Sequence, residues 1–367
     1  MGKKRVLLAI GSLSGGGAER VVSVWANQLA NAGYDVNIFV FIRRDNEYFV
    51  SDKVKIYALE DKRGCSDIQL KRKFKHYVAL RKILRKIKPE YIISFLDSIQ
   101  ITMFLITIGM RVHRIETIRV NPWMWFKNLD WKRKQLLFLC FRFSHAIIAQ
   151  TKSQTAWLSA NNRKKAVVIP NPISAVYNTS YKAKYTSHAI SFIAAGRIAP
   201  QKNYKMMIDS FAETIKQHPN VLLKIFGTGD NEYVQTIQTY IIQKGLDNHI
   251  KLMGRSLHIE EEYRKSDVFL MTSNYEGLPN ALMEAMASRL ICISTDCQTG
   301  PQDLIENGIN GYLVPVGDVD ALISAINKVI SMTVQEKERM GTAAREKIMT
   351  YCSEENSLNS LCEILNK

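Results

Sequence analysis

Asn274-Tyr-Glu-Gly-Leu-Pro-Asn-Ala-Leu-Met-Glu-Ala-Met-Ala-Ser288 follows an apolar run, Val268-Phe-Leu-Met271, and sets Glu276 and Glu284 eight residues apart with Gly277 and Pro279 between them. The apolar run reads as a strand, and Pro279 suits the first turn of a following helix. Glu276 then falls on the connecting loop and Glu284 inside the helix. The helix start directs unpaired backbone N–H groups and the positive end of its dipole at whatever lies beside Glu276. Two flanking carboxylates can accept hydrogen bonds from hydroxyls, so the stretch suits a nucleotide sugar: phosphates on the N–H groups, ribose and sugar hydroxyls on the carboxylates. Taken alone, the pair equally fits a surface helix with a solvated Glu284.

Outward from this unit, strand-like runs alternate with helical patterns along most of the chain, the signature of stacked βα units and parallel sheets. Seven such runs precede Pro170-Asn-Pro172, and six more begin near Ile190. The polar stretch from Ile173 to His188 reads as a linker. The expected class is α/β, with two Rossmann-like domains facing across a cleft, over residues 1–175 and 185–350. A last helical segment, 351–367, exceeds what the second sheet needs.

The 367 residues suffice for two cores, and the composition, 46% apolar and 23% charged, is that of a globular protein. Six scattered cysteines with no C-x-x-C pair argue against a zinc site or a disulfide framework and fit a reducing compartment. The opening Met-Gly-Lys-Lys-Arg leads into only five apolar residues, too short for a signal-peptide core, and Val6 stands where a myristoylation motif has Ser or Thr. No apolar run reaches the ~18 residues of a membrane span, so a cytoplasmic location is expected. Charge is uneven. Residues 1–183 hold 32 Lys+Arg against 12 Asp+Glu, while the remainder is slightly acidic. The first half is expected to face something acidic: nucleic acid, an anionic membrane surface or a pyrophosphate-linked substrate.

Three further elements carry chemistry. Gly15-Gly-Gly-Ala-Glu-Arg20 lies between the first strand and the first helix, where glycines let the backbone approach a phosphate. It lacks the G-x-G-x-x-G spacing, and Arg43 and Arg44 follow the second strand in place of an acidic residue, which counts against a nicotinamide site. Gly196-Arg-Ile-Ala-Pro-Gln-Lys-Asn203 puts Arg197 and Lys202 on the loop after a strand, placed to hold a pyrophosphate. Gly227-Thr-Gly-Asp230 is a βα turn that could also border a nucleotide. Asp318-Val-Asp320 matches a D-x-D metal motif in form, but its place before Ala321-Leu-Ile reads as helix capping.

In order, the GGAER, G-R-x4-K and Glu-x7-Glu elements resemble those of retaining GT-B glycosyltransferases of family 4, and the resemblance spans essentially the whole chain. It implies an acceptor-binding first domain, a nucleotide-sugar-binding second domain, and a C-terminal helix crossing back to the first. It implies Glu276, Arg197 and Lys202 as catalytic residues, with Gly16, Gly17, Gly227, Gly277, Leu278, Pro279, Asn280 and Glu284 around the donor. No metal and no cofactor are expected; Arg197, Lys202 and helix amides neutralise the leaving diphosphate. The donor is expected to be UDP-linked, with GalNAc or a related hexose as the sugar.

Lys71 to Lys88 carries nine basic residues and no acidic one, with an apolar face at helical spacing. Such a helix could rest on anionic lipid headgroups or hold the pyrophosphate of a lipid-linked acceptor through Lys75, Arg81 and Arg85. A merely solvated basic face remains the alternative. Arg119-Val-Asn-Pro122 follows a strand at the first domain's cleft edge, where many family members have His; Arg119 and Asn121 are candidates for the acceptor or donor. Trp123, Trp125 and Phe126 could stack on sugar rings or pack in the core. The expected activity is sugar transfer to a polyprenyl-diphosphate-linked oligosaccharide at the inner membrane face, in surface-glycan assembly. The alternatives are the same class with another donor such as GDP-mannose, an NADP-dependent oxidoreductase, and a basic nucleic-acid-binding protein.

Overall fold

The computed structural model describes residues 3–60, 70–179, 181–182, 184–185 and 190–366, and divides into two units. Unit 1 comprises Met1–Pro172 with Glu355–Lys367, and unit 2 comprises Ile173–Glu354.

Unit 1 is built on seven strands: β1 (Arg5–Ile10), β2 (Asp35–Ile42), β3 (Lys55–Glu60), β4 (Tyr91–Ser94), β5 (His113–Ile118), β6 (Ala146–Ala149) and β7 (Ala166–Val168). All pair in parallel, in the order β3-β2-β1-β4-β5-β6-β7, with Leu8 of β1 opposite Ile38 of β2 and Ile93 of β4. Strands covered on both faces read as near-continuous apolar runs, and β1 is one. Val6, Leu8 and Ile10 join the core under helix α1 (Gly17–Asn31), while Leu7 and Ala9 join the core under α2 (Leu70–Ile87) and α3 (Asp97–Ile106). Between β5 and β6 lie α4 (Pro122–Lys127) and α5 (Trp131–Arg142), which buries Leu137 and Phe141 on Ile118 and Ile147. The last helix, Glu354–Asn366, places Leu361, Ile364 and Leu365 in the α1 core of unit 1, and Trp25 Nε1 donates to Ser357 Oγ at 2.7 Å.

Unit 2 repeats the plan with β8 (Ser191–Ala195), β9 (Leu222–Phe226), β10 (Ile250–Gly254), β11 (Val268–Met271), β12 (Ile291–Thr295) and β13 (Tyr312–Val314), ordered β10-β9-β8-β11-β12-β13 and parallel throughout. The described part of 173–185, expected as a polar linker, is instead packed on unit 2. Ile173, Tyr177 and Tyr185 are buried, and Ile173 N donates to Cys352 O at 2.8 Å. Those three apolar side chains outweigh the polar residues between them.

The helix carrying Glu284 runs from Asn280 to Ala287, with Pro279 as its N-cap rather than in its first turn. Leu282, Met283, Ala285 and Met286 are buried, and full burial of a Leu or Met stabilises by roughly 1.5–3 kcal/mol. The helix ends in a Schellman arrangement: Arg289 takes a left-handed conformation (φ 68°), Leu290 N donates to Ala285 O and Arg289 N to Met286 O. An arginine holds this glycine-favouring position because its guanidinium donates to Thr342 Oγ1, the Lys182 carbonyl and Glu338.

Candidate functional site

In an open α/β sheet the strand order reverses at one point, and the loops after the two diverging strands leave a crevice there. In unit 2 that point lies between β8 and β11. The loop after β8 carries Arg197 and Lys202, and the loop after β11 carries Glu276 and Gly277. Side chains and backbone join the two. Asn274 N donates to Gln201 O (2.8 Å), Gln201 Nε2 to Tyr275 O (2.7 Å), and Thr272 Oγ1 to Lys202 O (2.9 Å). So held, Lys202 donates through Nζ to Glu276 Oε1 at 2.6 Å, and Glu276 is only 7% exposed. The sequence assigned these two residues separately, one to a phosphate and one to a sugar; here they form one charge-assisted pair.

A third loop, after β12, supports Glu276 from the other side. The Thr299 hydroxyl donates to the Glu276 carbonyl, and Gly300 (φ 93°) passes so close that a Cβ there would lie 2.4 Å from Gly277 O. Neither residue was singled out from the sequence, although a Gly-Pro pair after a strand marks a tight βα turn. Cys297 in the same loop is buried, and burial pushes its thiol up to about 12, with Glu276 adding to the effect.

Gly227, after β9, lies directly against Gly196: a Cβ on Gly227 would come within 1.8 Å of Gly196 O. Only a residue without a side chain fits there at φ 148°. Arg197 is exposed and has no partner among the described residues. Leu278 and Pro279 are buried, and Asn280 and Glu284 are half-buried along the helix start. Asp230 and Asp318 cap their helices, accepting from Glu232 N and Ala321 N. Glu276, Lys202 and the Gly277–Asn280 helix start thus form one connected group, with Arg197 beside it in sequence.

Unit 1 has its own reversal between β1 and β4. Gly15 (φ 91°) turns the chain after β1, and Gly16 caps α1. The Glu19 side chain folds back over Gly16, so that a Cβ on Gly16 would lie 2.2 Å from Glu19 Oε2. A phosphate approaching Gly16 or Gly17 meets that carboxylate and requires it to swing away. Arg119, after β5, lays its guanidinium over the rings of Trp25 (4.5 Å) and Phe95 (5.0 Å). Among the described residues it donates once, to Asn171 Oδ1 at 3.1 Å, and its buried Nε and Nη2 have no partner there; burial pushes its pKa down to about 9. Asn171 also accepts from Gln150 Nε2 at 2.8 Å. Asn121 is buried and its Oδ1 caps α4 by accepting from Met124 N.

On α2, Arg81 donates to the carbonyls of Ile106 and Ile108, so its guanidinium caps the end of α3. Arg85 is exposed, and the Lys75 side chain lies outside the described residues. Trp125 and Phe126 pack against Trp157 at ring distances of 6.1 and 5.3 Å, the core-packing alternative for both.

Comparison with known proteins adds the following. The model of Glycosyltransferase Family 4 matches residues 15–176, and that of Glycosyl transferases group 1 matches residues 182–347. The chain is 26% identical over 92% of its length to the GalNAc-alpha-(1->4)-GalNAc-alpha-(1->3)-diNAcBac-PP-undecaprenol alpha-1,4-N-acetyl-D-galactosaminyltransferase of Campylobacter jejuni, covering 92% of that protein. It is 26% identical to the lipopolysaccharide 1,6-galactosyltransferase of Escherichia coli, over 86% of each chain. Among solved structures, HepE of Anabaena in complex with UDP and glucose superposes with a TM-score of 0.79 at 16% identity, covering 99% of both chains. Sucrose-phosphate synthase of Thermosynechococcus elongatus gives 0.84 at 17% identity, covering 99% and 98%.

Proposed function

The chain belongs to the GT-B glycosyltransferases, and from that premise we propose that it transfers a sugar, with retention of configuration, from a UDP-linked donor to a hydroxyl of a lipid-linked glycan. The observation that carries the reading is the Lys202–Glu276 pair set beside a helix start at the strand reversal of unit 2. Lys202, Arg197 and the amides from Gly277 to Asn280 offer positive charge to a diphosphate, stabilising the negative charge that develops as it leaves. No metal is needed for that task in this reading. Glu284 accepts from the ribose hydroxyls and Glu276 from hydroxyls of the donor sugar. Gly227 allows backbone close to the phosphates. Retention proceeds by attack from the face the diphosphate leaves, its oxygen taking the acceptor's proton.

Two relatives inform the substrates. The Campylobacter jejuni protein is named for N-acetylgalactosamine transfer to an undecaprenol-linked glycan, and HepE was solved with UDP. GalNAc or a related hexose from UDP, and a polyprenyl-diphosphate acceptor at the inner membrane face, are accordingly the substrates proposed here. Arg119, Asn121 and Arg85 remain the acceptor candidates of unit 1. Nothing in the geometry favours a nicotinamide or nucleic-acid reading.

The test is release of free nucleotide from a panel of UDP- and GDP-sugars, without added metal, by wild type, Glu276→Ala and Arg197→Ala. Release of UDP from one donor, lost in both variants, supports the reading and names the sugar. Release of GDP instead replaces the donor. If no donor turns over with a polyprenyl-diphosphate glycan present, and UDP leaves the melting temperature unchanged, the reading fails.

A further inference from the structure

Helix α5 turns Leu137, Cys140 and Phe141 inward, and a helix packed this way ordinarily shows polar residues to solvent. Its outward stripe instead reads Trp131, Gln135, Phe138 and Arg142, at i, i+4, i+7 and i+11, with Phe143 directly after. Trp131 is 69% exposed, Phe138 49% and Phe143 60%. The stripe runs the length of the helix, about 18 Å. Around it the charge is of one sign: residues 127–143 hold Lys127, Lys132, Arg133, Lys134 and Arg142 against Asp130 alone. Lys132 and Arg142 lie 5.9 Å from the rings of Trp131 and Phe143, so cation and ring present themselves together. Helix α3 lies between α2 and α5 on this face of the sheet, and Lys82, Arg85 and Lys86 of α2 are exposed as well. Arg114 ties the ends of α3 and α5, donating to Thr107 Oγ1 and Phe143 O, which holds Phe143 in place.

We infer that the outward face of α5, with Phe143, is the surface by which this protein lies on an anionic lipid bilayer. Trp131, Phe138 and Phe143 enter the headgroup level, and the flanking lysines and arginines keep their charges on lipid phosphates while their stems cover apolar surface. Bare aromatics ringed by Lys and Arg fit the boundary between apolar and anionic layers. The core of a protein–protein interface is depleted in lysine, whereas three lysines flank these rings. Among the described residues no helix is long and apolar enough to cross a membrane. The inference rests on the proposed lipid-linked acceptor, and names the face that reading leaves open.

The full chain is sedimented with vesicles of phosphatidylcholine plus phosphatidylglycerol, and with phosphatidylcholine alone, while tryptophan emission is followed. Binding to the anionic vesicles only, with a blue shift lost in Trp131→Ser, is expected. Trp131→Ser/Phe138→Ser/Phe143→Ser abolishes sedimentation. Lys132→Gln/Arg133→Gln/Arg142→Gln weakens it by about five-fold per charge, on the order of a hundredfold together. Leu257→Ser, which alters the 84% exposed leucine of unit 2, leaves it unchanged. Both α5 variants must keep the rise in melting temperature that UDP gives, which separates loss of the surface from loss of fold. Anionic-vesicle binding that survives the aromatic triple variant overturns the inference. So does a wild-type dimer that this variant turns into a monomer, with no vesicle binding by either. Vesicle binding through α5 together with equal transfer to water-soluble and lipid-linked acceptors overturns the acceptor reading and leaves the surface standing.

Discussion

The contact between Lys202 and Glu276 makes a quantitative demand on unit 2. Nζ and Oε1 are 2.6 Å apart, and their side chains are only 17% and 9% exposed. Removing one member leaves the other charge partly buried and unpaired, which costs about 3 kcal/mol at the low end for such a pair. Removing both leaves no orphan charge, and the loss falls to about 1 kcal/mol. For a unit of this size each kcal/mol moves the melting temperature by roughly 2–4 °C. Lys202→Met and Glu276→Gln are therefore each expected to melt roughly 6–12 °C below wild type, and the double variant only about 2–4 °C below it. Activity should behave differently. In the proposed reading each single variant loses a group that acts on the donor, and on the order of a hundredfold or more in kcat/KM is expected from each, with no recovery in the double variant. The assay is calorimetry of the four proteins with and without UDP, paired with nucleotide release. A double variant whose melting temperature falls by the sum of the singles would refute the pairing. A double variant that regains activity along with stability would show that the pair serves the fold and not the chemistry.

Three further outcomes follow from single sites. Glu116 is fully buried in β5 and among the described residues its two carboxylate oxygens have no hydrogen-bond partner; burial raises its pKa to about 8, only partly opposed by Arg114 and Lys165. Because the folded value lies above the unfolded 4.5, its contribution to stability is complete below pH 4.5 and is lost as the pH rises through 8. Glu116→Gln should match wild type near pH 5 and melt higher at pH 8.5, and parallel melting curves across that range would sink the argument. Gly227→Ala drives a Cβ into the Gly196 carbonyl and should cost about 2 kcal/mol or more while abolishing the melting shift given by UDP; an unchanged UDP shift would place the donor elsewhere. Arg119→Met removes a buried cation that makes a single hydrogen bond, so the melting temperature should hold or rise. Acceptor KM should rise in the same variant if Arg119 meets the acceptor, and a fall of several degrees with unchanged KM would make Arg119 purely structural.

What was legible in the sequence was local and periodic. The Val268–Met271 strand, the loop carrying Glu276 and the helix carrying Glu284 follow from apolar spacing and one proline, signals held within a dozen residues. The two parallel sheets follow from repetition of the same signal. Contacts between distant positions were not legible. Lys202 and Glu276 stand 74 residues apart, and periodicity does not say that two loops at one sheet edge will share a proton donor and its acceptor. Asn171 shows the same limit. Between two prolines it reads as chain punctuation, yet it is buried and accepts from both Arg119 and Gln150. The basic helix shows a different limit. Its charge was plain, but Arg81 donates to the end of α3, a role that depends on a neighbouring helix end. Conversely, the sequence reads as helical over 132–140, in agreement with α5, but its exposed aromatic stripe is not legible there, because apolar residues on both faces blur the 3.6-residue period that separates a buried face from a solvent face. That blurring is itself the informative feature. A helix with one apolar face in the core and another bare to solvent among cations is under two demands at once, and the fold accounts for only the first.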